Sequence, residues 1–138
     1  MPNILIIDDD DAIRRCFSAV LEPLGTVESL SSADQAVSLL AVKRYDAIVL
    51  DLHMTPLDGF GLLDHIRAMG GPNVETPVLL CSADFTLRTR ARAIEYASLF
   101  VLKPVRLSVL YELVAHAIGG LSGSARRTSS PVESHFSL

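Results

Sequence analysis

Five short apolar runs alternate with stretches of helical periodicity, and this alternation constrains the chain more than any other feature. The first run, Asn3-Ile4-Leu5-Ile6-Ile7, is continuous and ends in acids. A strand covered on both faces reads this way, because neither face meets water. Ile13, Phe17, Val20, Leu21 and Leu24 follow at spacings that fall on one helix face. Pro23 and Gly25 close that helix. A weaker strand is predicted at Thr26 to Leu30. Ser32 and Gln35 then offer a capping box ahead of Ala36, Val37, Leu39 and Leu40.

The clearest strand is Ala47-Ile48-Val49-Leu50, which ends at Asp51. A loop from His53 to Asp58 leads to a helix from Gly59 to Ala68, with Leu62, Leu63 and Ile66 inward. Gly70-Gly71-Pro72-Asn73 reads as a loop. Pro77 to Cys81 makes a fourth strand, with Pro77 tolerable as its first residue. The next helix is predicted over Thr86 to Tyr96, with Leu87, Ala91 and Ile94 on one face and Arg88 and Arg92 on another. Leu99 to Leu102 is the fifth strand, and Leu107 to Ile118 the last helix.

Strands that alternate with helices argue for a parallel sheet covered on both faces, with right-handed crossovers. The expected fold is therefore α/β, a (βα)5 doubly wound five-stranded sheet of flavodoxin-like order 2-1-3-4-5. With 138 residues the chain holds one domain, at roughly 150 residues each. We expect that domain over 1–118 and a flexible Gly/Ser-rich tail over 119–138.

Hydrophobic residues make up 49% against 20% charged, which excludes disorder over most of the length. A net charge of −4 gives no bulk attraction to nucleic acid. No apolar run reaches the ~18 residues of a membrane span, and the start lacks a signal-peptide pattern. Cytoplasm is the expected location. Cys16 and Cys81 are too few for a disulfide framework, and both are expected as small buried hydrophobes.

In an open α/β sheet, sites form outside the carboxyl ends of the strands, where strand order reverses. Here strand one ends in Asp8-Asp9, strand three in Asp51, strand four in Ser82 and strand five in Lys103. Three carboxylates brought together repel one another unless a cation intervenes. Mg²⁺ suits such oxygen ligands and shares its shell with water and phosphate oxygens. A phosphoryl group is therefore the expected third party. A carboxylate can attack phosphorus to give an acyl phosphate. Lys103 then offers a point charge to a phosphate oxygen and Ser82 a donor. Asp10 and Asp11 read instead as a solvated helix start, where acids are favoured.

The set Ile-Leu-Ile-Ile-Asp8-Asp9, Asp51-Leu-His-Met54-Thr-Pro56-Leu-Asp58-Gly59, Ser82-Ala83 and Lys103-Pro104 resembles the receiver domain of two-component response regulators. It is similar to the single-domain, chemotaxis-type regulators, and the resemblance covers about residues 3–118. It implies that Asp51 accepts a phosphoryl group from a sensor histidine kinase or histidine phosphotransfer protein. It implies Mg²⁺ (or Mn²⁺) at Asp8, Asp9, Asp51 and the main-chain carbonyl of His53. Ser82 and Phe100 match the switch pair, Lys103 the lysine that pairs with the acyl phosphate, and His53 and Asp84 the positions that tune autodephosphorylation. Such a chain is no enzyme beyond its own phosphorylation and dephosphorylation.

Three departures from the family pattern stand out. Pro56 is shifted by one residue, Tyr96-Ala97 replaces an Ala-Gly-Ala run, and Val105 follows Lys103-Pro104 in place of Phe. Ala97-Ser98 also replaces the Asp-Asp pair of the winged-helix regulators, which argues against their dimer mode. A partner face is expected at Arg88, Arg92, Phe100, Arg106 and Tyr111, without direct contact to nucleic acid or membrane. Two other readings are carried. One is a receiver fragment of a longer transcriptional regulator or hybrid histidine kinase. The other is a phosphatase of the haloacid-dehalogenase type, whose Asp-x-Asp-x-Thr motif Asp51-Leu-His53-Met-Thr55 nearly matches.

Overall fold

The computed structural model describes residues 1–52, 59–83, 91–92 and 99–119. Strands β1 (Asn3–Ile7), β2 (Thr26–Leu30), β3 (Ala47–Asp51), β4 (Val78–Ser82) and β5 (Leu99–Leu102) form one sheet in the order β2-β1-β3-β4-β5. Every pairing is parallel. Order and direction are those expected from the alternation of the sequence.

The continuous apolar runs divide their side chains between two cores. Leu5, Ile7, Ile48 and Leu50 face one way and pack with Ala36 and Leu40 of α2 (Ala33–Val42) and with Leu62, Leu63 and Ile66 of α3 (Gly59–Met69). Ile4, Ile6, Ala47 and Val49 face the other way. They meet Phe17 and Leu21 of α1 (Asp11–Leu21) and Leu110, Leu113 and Val114 of α4 (Leu107–Gly119). Successive strand residues point to opposite faces, so a run covered on both sides must be apolar at every position. Each such aliphatic side chain contributes about 1.5–3 kcal/mol on burial.

Local chemistry sets the element ends. Asp10 caps α1, its Oδ1 accepting from the N–H groups of Ala12 and Ile13. Pro23 sits in the 3-10 turn Glu22–Leu24 that follows α1. Gly25 comes next, where a Cβ would stand 2.4 Å from the Pro2 carbonyl oxygen. Only glycine lets Thr26 N–H reach that carbonyl and start β2. At α2 the Ser32 hydroxyl accepts from Gln35 N–H, while the Gln35 amide oxygen accepts from Ser31 N–H. The expected capping box forms, with its return arm one residue early.

One burial expectation is overturned. Cys81 is buried, but Cys16 is exposed. At 3.6 residues per turn Cys16 points about 100° away from Phe17, outside the stripe that α1 presents to the sheet. Among the described part of the helix expected over Thr86 to Tyr96, Ala91 and Arg92 are helical. The last helix runs through Gly119, the first residue assigned to the tail; positions 120–138 lie outside the described residues.

Candidate functional site

Strands β1 and β3 are neighbours, and both end at the carboxyl edge of the sheet. Asp8 follows β1 directly and Asp51 closes β3. Both are buried, at 3% and 5% exposure, whereas Asp9 is exposed. One carboxylate oxygen from each of Asp8, Asp9 and Asp51 lies within 4.8 Å of the others. The three carboxylates expected at the point of strand reversal are thus brought together.

Lys103 reaches the group from β5. Its Nζ lies 3.3 Å from Asp8 Oδ2 and 3.2 Å from Asp51 Oδ1. Its backbone N–H donates to the Ser82 carbonyl at 2.7 Å, and its peptide bond to Pro104 is cis. Burial pushes the Lys103 pKa down, but the charges of Asp51 and Asp8 outweigh it and hold the ammonium above its ordinary value. Cys81 lies in register with Asp51 on the adjacent strand. Burial, opposed by Lys103 and reinforced by Asp8 and Asp51, pushes its thiol up to about 12. It stays a neutral wall of the site.

Asp8 is held from several sides. Its Oδ1 accepts from Asp10 N–H at 2.9 Å, its own N–H donates to Leu30 O at 3.1 Å, and its carbonyl accepts from Arg14 Nη1 at 2.7 Å. Arg14 has no place among the residues expected from sequence. Its spacing from Asp11 reads as an ordinary i,i+3 surface pair, which hides the contact to Asp8.

Ser82 is fully buried at the end of β4, and Phe100 is fully buried in β5. Phe100 packs in the cluster that holds Leu52, Phe60 and Leu80, so here it adds no surface to the expected partner face. Arg106 and Tyr111 are exposed on that side, with Leu107 one turn before Tyr111. Arg92 turns toward α3, its guanidinium 4.1 Å from the centre of the Phe60 ring and 3.9 Å from Asp64. His53, Asp84 and Arg88 lie outside the described residues.

The donor set fits a hard divalent cation. All three side-chain ligands are oxygens, and three formal negative charges meet the single ammonium of Lys103. Two buried carboxylates and one exposed carboxylate leave an open side for water or a phosphate oxygen.

Residues 4–115 match the family described as the response regulator receiver domain. The chain belongs to that family. This receiver is 33% identical over 133 residues to the sensory/regulatory protein RpfC of Xanthomonas campestris. It is 29% identical over 120 residues to the two-component response regulator ARR2 of Arabidopsis thaliana. These alignments take 94% and 84% of the receiver but only 18% of either relative, so the chain spans under a fifth of the length of these two proteins. Among solved structures, the signal receiver domain of a signal transduction histidine kinase from Syntrophus aciditrophicus superposes with a TM-score of 0.75 at 28% identity. That match covers 94% of this receiver and 96% of the solved chain. Receivers work in two-component signalling and take phosphoryl groups from histidine kinases. None of the described helices is long and apolar enough to cross a membrane.

Proposed function

We propose that this receiver accepts a phosphoryl group on Asp51 from a phosphohistidine donor and answers by switching a protein-binding face. The observation that carries this reading is the meeting of Asp51 with Lys103, Asp8 and Asp9 at the strand-reversal edge. An Asp51 oxygen attacks phosphorus, the bond from phosphorus to the histidine nitrogen breaks, and the imidazole keeps the electron pair. Asp8, Asp9, Asp51 and the main-chain carbonyl of His53 would hold Mg²⁺ or Mn²⁺. When bound, that ion supplies charge neutralisation between the carboxylates and the incoming phosphoryl oxygens.

The chain's own residues do the rest by placement. Lys103 already bridges two carboxylates and can turn one donor to a phosphoryl oxygen. The Ser82 hydroxyl donates to another oxygen. Its shift favours one packing of Phe100, a two-state bias set by the acyl phosphate. His53 and Asp84 tune the phosphoryl lifetime. The output face comprises Arg88, Arg92, Arg106 and Tyr111 around Phe100. Residues 1–118 form the receiver and 119–138 a flexible tail, and the protein acts in the cytoplasm without direct contact to nucleic acid or membrane.

Intact mass after incubation with Mg²⁺ and acetyl phosphate tests the core of this reading. The wild type gains one labile phosphoryl group, EDTA prevents it, and Asp51→Asn gains none. Acid-stable incorporation that persists in Asp51→Asn would refute the acceptor role.

A second reading is favoured by the similarity to the receiver of a histidine kinase and by the small share of RpfC that the chain spans. In it, the same chemistry serves as one station of a relay inside a longer sensory protein. A relay receiver passes its phosphoryl group to a further histidine. Transfer of label from Asp51 to a histidine phosphotransfer domain would support that reading, and a phosphoryl group that leaves only by hydrolysis would exclude it. The phosphatase reading predicts turnover of a phosphate ester, which a receiver lacks.

A further inference from the structure

Asp9 is the weakly held member of the carboxylate group. Among the described residues its side chain has no hydrogen-bond or ion-pair partner, and it is exposed. The direction of its Cα–Cβ bond, from which the carboxylate reaches Asp8 and Asp51, is set by the backbone, through the peptide links on either side. The N–H of the link to Asp10 is fixed by Asp8 Oδ1 at 2.9 Å. The carbonyl of the link from Asp8 is fixed by Arg14 Nη1 at 2.7 Å. Arg14 is itself anchored twice. Its backbone N–H donates to Asp10 O at 3.0 Å, and its Nη2 donates to Asp11 Oδ1 at 2.8 Å. Its side chain is only 17% exposed, so the bond to Asp8 O is partly shielded from water.

From this geometry we infer that Arg14 is a positioning residue for the cation site: it locks the Asp8–Asp9 peptide so that the Asp9 carboxylate faces Asp8 and Asp51. The inference rests on the proposed reading that these carboxylates hold a divalent cation. The fork of the guanidinium suits the task, since one arm takes a carbonyl of the rim and the other an acid of α1. Charge alone predicts the opposite sign. A guanidinium held on the Asp8 main chain repels a cation arriving at the neighbouring carboxylates, so its removal by that route would tighten binding. A positioning role makes its removal weaken binding instead.

Binding of Mn²⁺ to the full chain, followed by the electron paramagnetic resonance of the free ion, separates these cases. The wild type binds Mn²⁺. Arg14→Met binds it roughly ten-fold more weakly, in the range for lost support of a metal ligand. Arg14→Lys keeps the charge and one donor and falls between the two. Arg15→Met removes a neighbouring, 70% exposed guanidinium that pairs with Asp11, and it leaves affinity unchanged. Urea unfolding of each variant gives the independent measure of stability.

Unchanged or tighter Mn²⁺ binding in Arg14→Met would overturn the inference, whatever happens to stability. Should that variant not fold, equal affinity in Arg14→Lys and wild type would overturn it as well. Failure of the wild type to bind Mn²⁺ at millimolar concentration would instead remove the cation-site reading, and the inference with it.

Discussion

The ammonium of Lys103 stands midway between two buried carboxylates, 3.2 Å from Asp51 Oδ1 and 3.3 Å from Asp8 Oδ2. The carboxylates are 6% and 4% exposed at their side chains and the lysine 21%, so water screens these pairs poorly. Lys103 is thus a standing counter-ion of the site as well as a candidate ligand for a phosphoryl oxygen. It comes from β5, whereas its partners come from the ends of β1 and β3, so the sheet order itself builds the triad.

Lys103→Met keeps most of the stem and removes the charge. Two buried carboxylates then lack their cation, which should destabilise the fold by roughly 3 kcal/mol in EDTA. A divalent cation at Asp8, Asp9 and Asp51 supplies the missing charge. Urea unfolding with and without Mg²⁺ should therefore show a larger Mg²⁺ stabilisation in the variant than in the wild type. Equal Mg²⁺ stabilisation in both would show that the lysine and the ion do not share the same carboxylates.

The two thiols should differ sharply in reactivity. Cys81 is fully buried, with its pKa pushed up to about 12, so it offers almost no thiolate at neutral pH. Cys16 is exposed on α1. Under native conditions a thiol reagent should label one cysteine per chain, mapped to Cys16 by peptide mass, and both after unfolding in urea. Fast native labelling of Cys81 would mean that the β3–β4 edge opens to solvent.

The fold was legible because the three inner strands, β1, β3 and β4, are buried on both faces. Residues Ile4 to Ile7 and Ala47 to Leu50 leave no alternation that would allow a half-exposed strand. The acids were legible because Asp8, Asp9 and Asp51 directly follow such runs, and parallel strands of order 2-1-3 deliver them to one edge. What stayed hidden depends on side-chain reach. Arg14 reads as a surface arginine until its Nη1 is seen on Asp8 O. Cys16 reads as apolar, but its angle on α1 takes it off the core. Asn73 sits in a stretch of glycine and proline that signals only a loop, yet it is buried to 1% exposure.

At the far edge of the sheet, Glu28 accepts from Lys43 Nζ at 2.7 Å and from the hydroxyl of fully buried Tyr45. The Lys43 bond, then the Tyr45 bond, hold the Glu28 pKa below 4.5 against the opposing effect of burial. A carboxyl with a lowered folded pKa stabilises above its unfolded value and loses that stabilisation as pH falls through the folded one. Glu28→Gln removes this contribution while keeping an acceptor for Tyr45. Urea unfolding should find the wild type more stable at neutral pH, with the gap closing as pH drops below 4.5. The side chain is 39% exposed, so the gap should shrink in high salt. A gap that is constant from neutral pH into the acid range would rule out the ionised carboxylate as its source.

Asn73 carries a dense set of buried hydrogen bonds. Its Nδ2 donates to Leu40 O and Lys43 O, the carbonyls left open where α2 ends. Its Oδ1 accepts from Tyr45 N–H and lies 3.1 Å from the Thr76 hydroxyl, whose one hydrogen is shared between it and Tyr45 O at 2.9 Å. One amide therefore joins the end of α2, the entry to β3 and the entry to β4. Asn73→Ala strands several buried backbone groups at about 1–3 kcal/mol each, and partial relaxation should leave a net loss of roughly 3 kcal/mol in urea unfolding. Asn73→Asp keeps the acceptor but sets carboxylate oxygens against two carbonyls, so at neutral pH it should be no more stable than Asn73→Ala. Because the network lies at the amino ends of the strands, away from Asp51, phosphoryl uptake by the folded fraction should match the wild type in both variants. A variant that stays folded but loses uptake would instead couple this end of the sheet to the carboxylate rim.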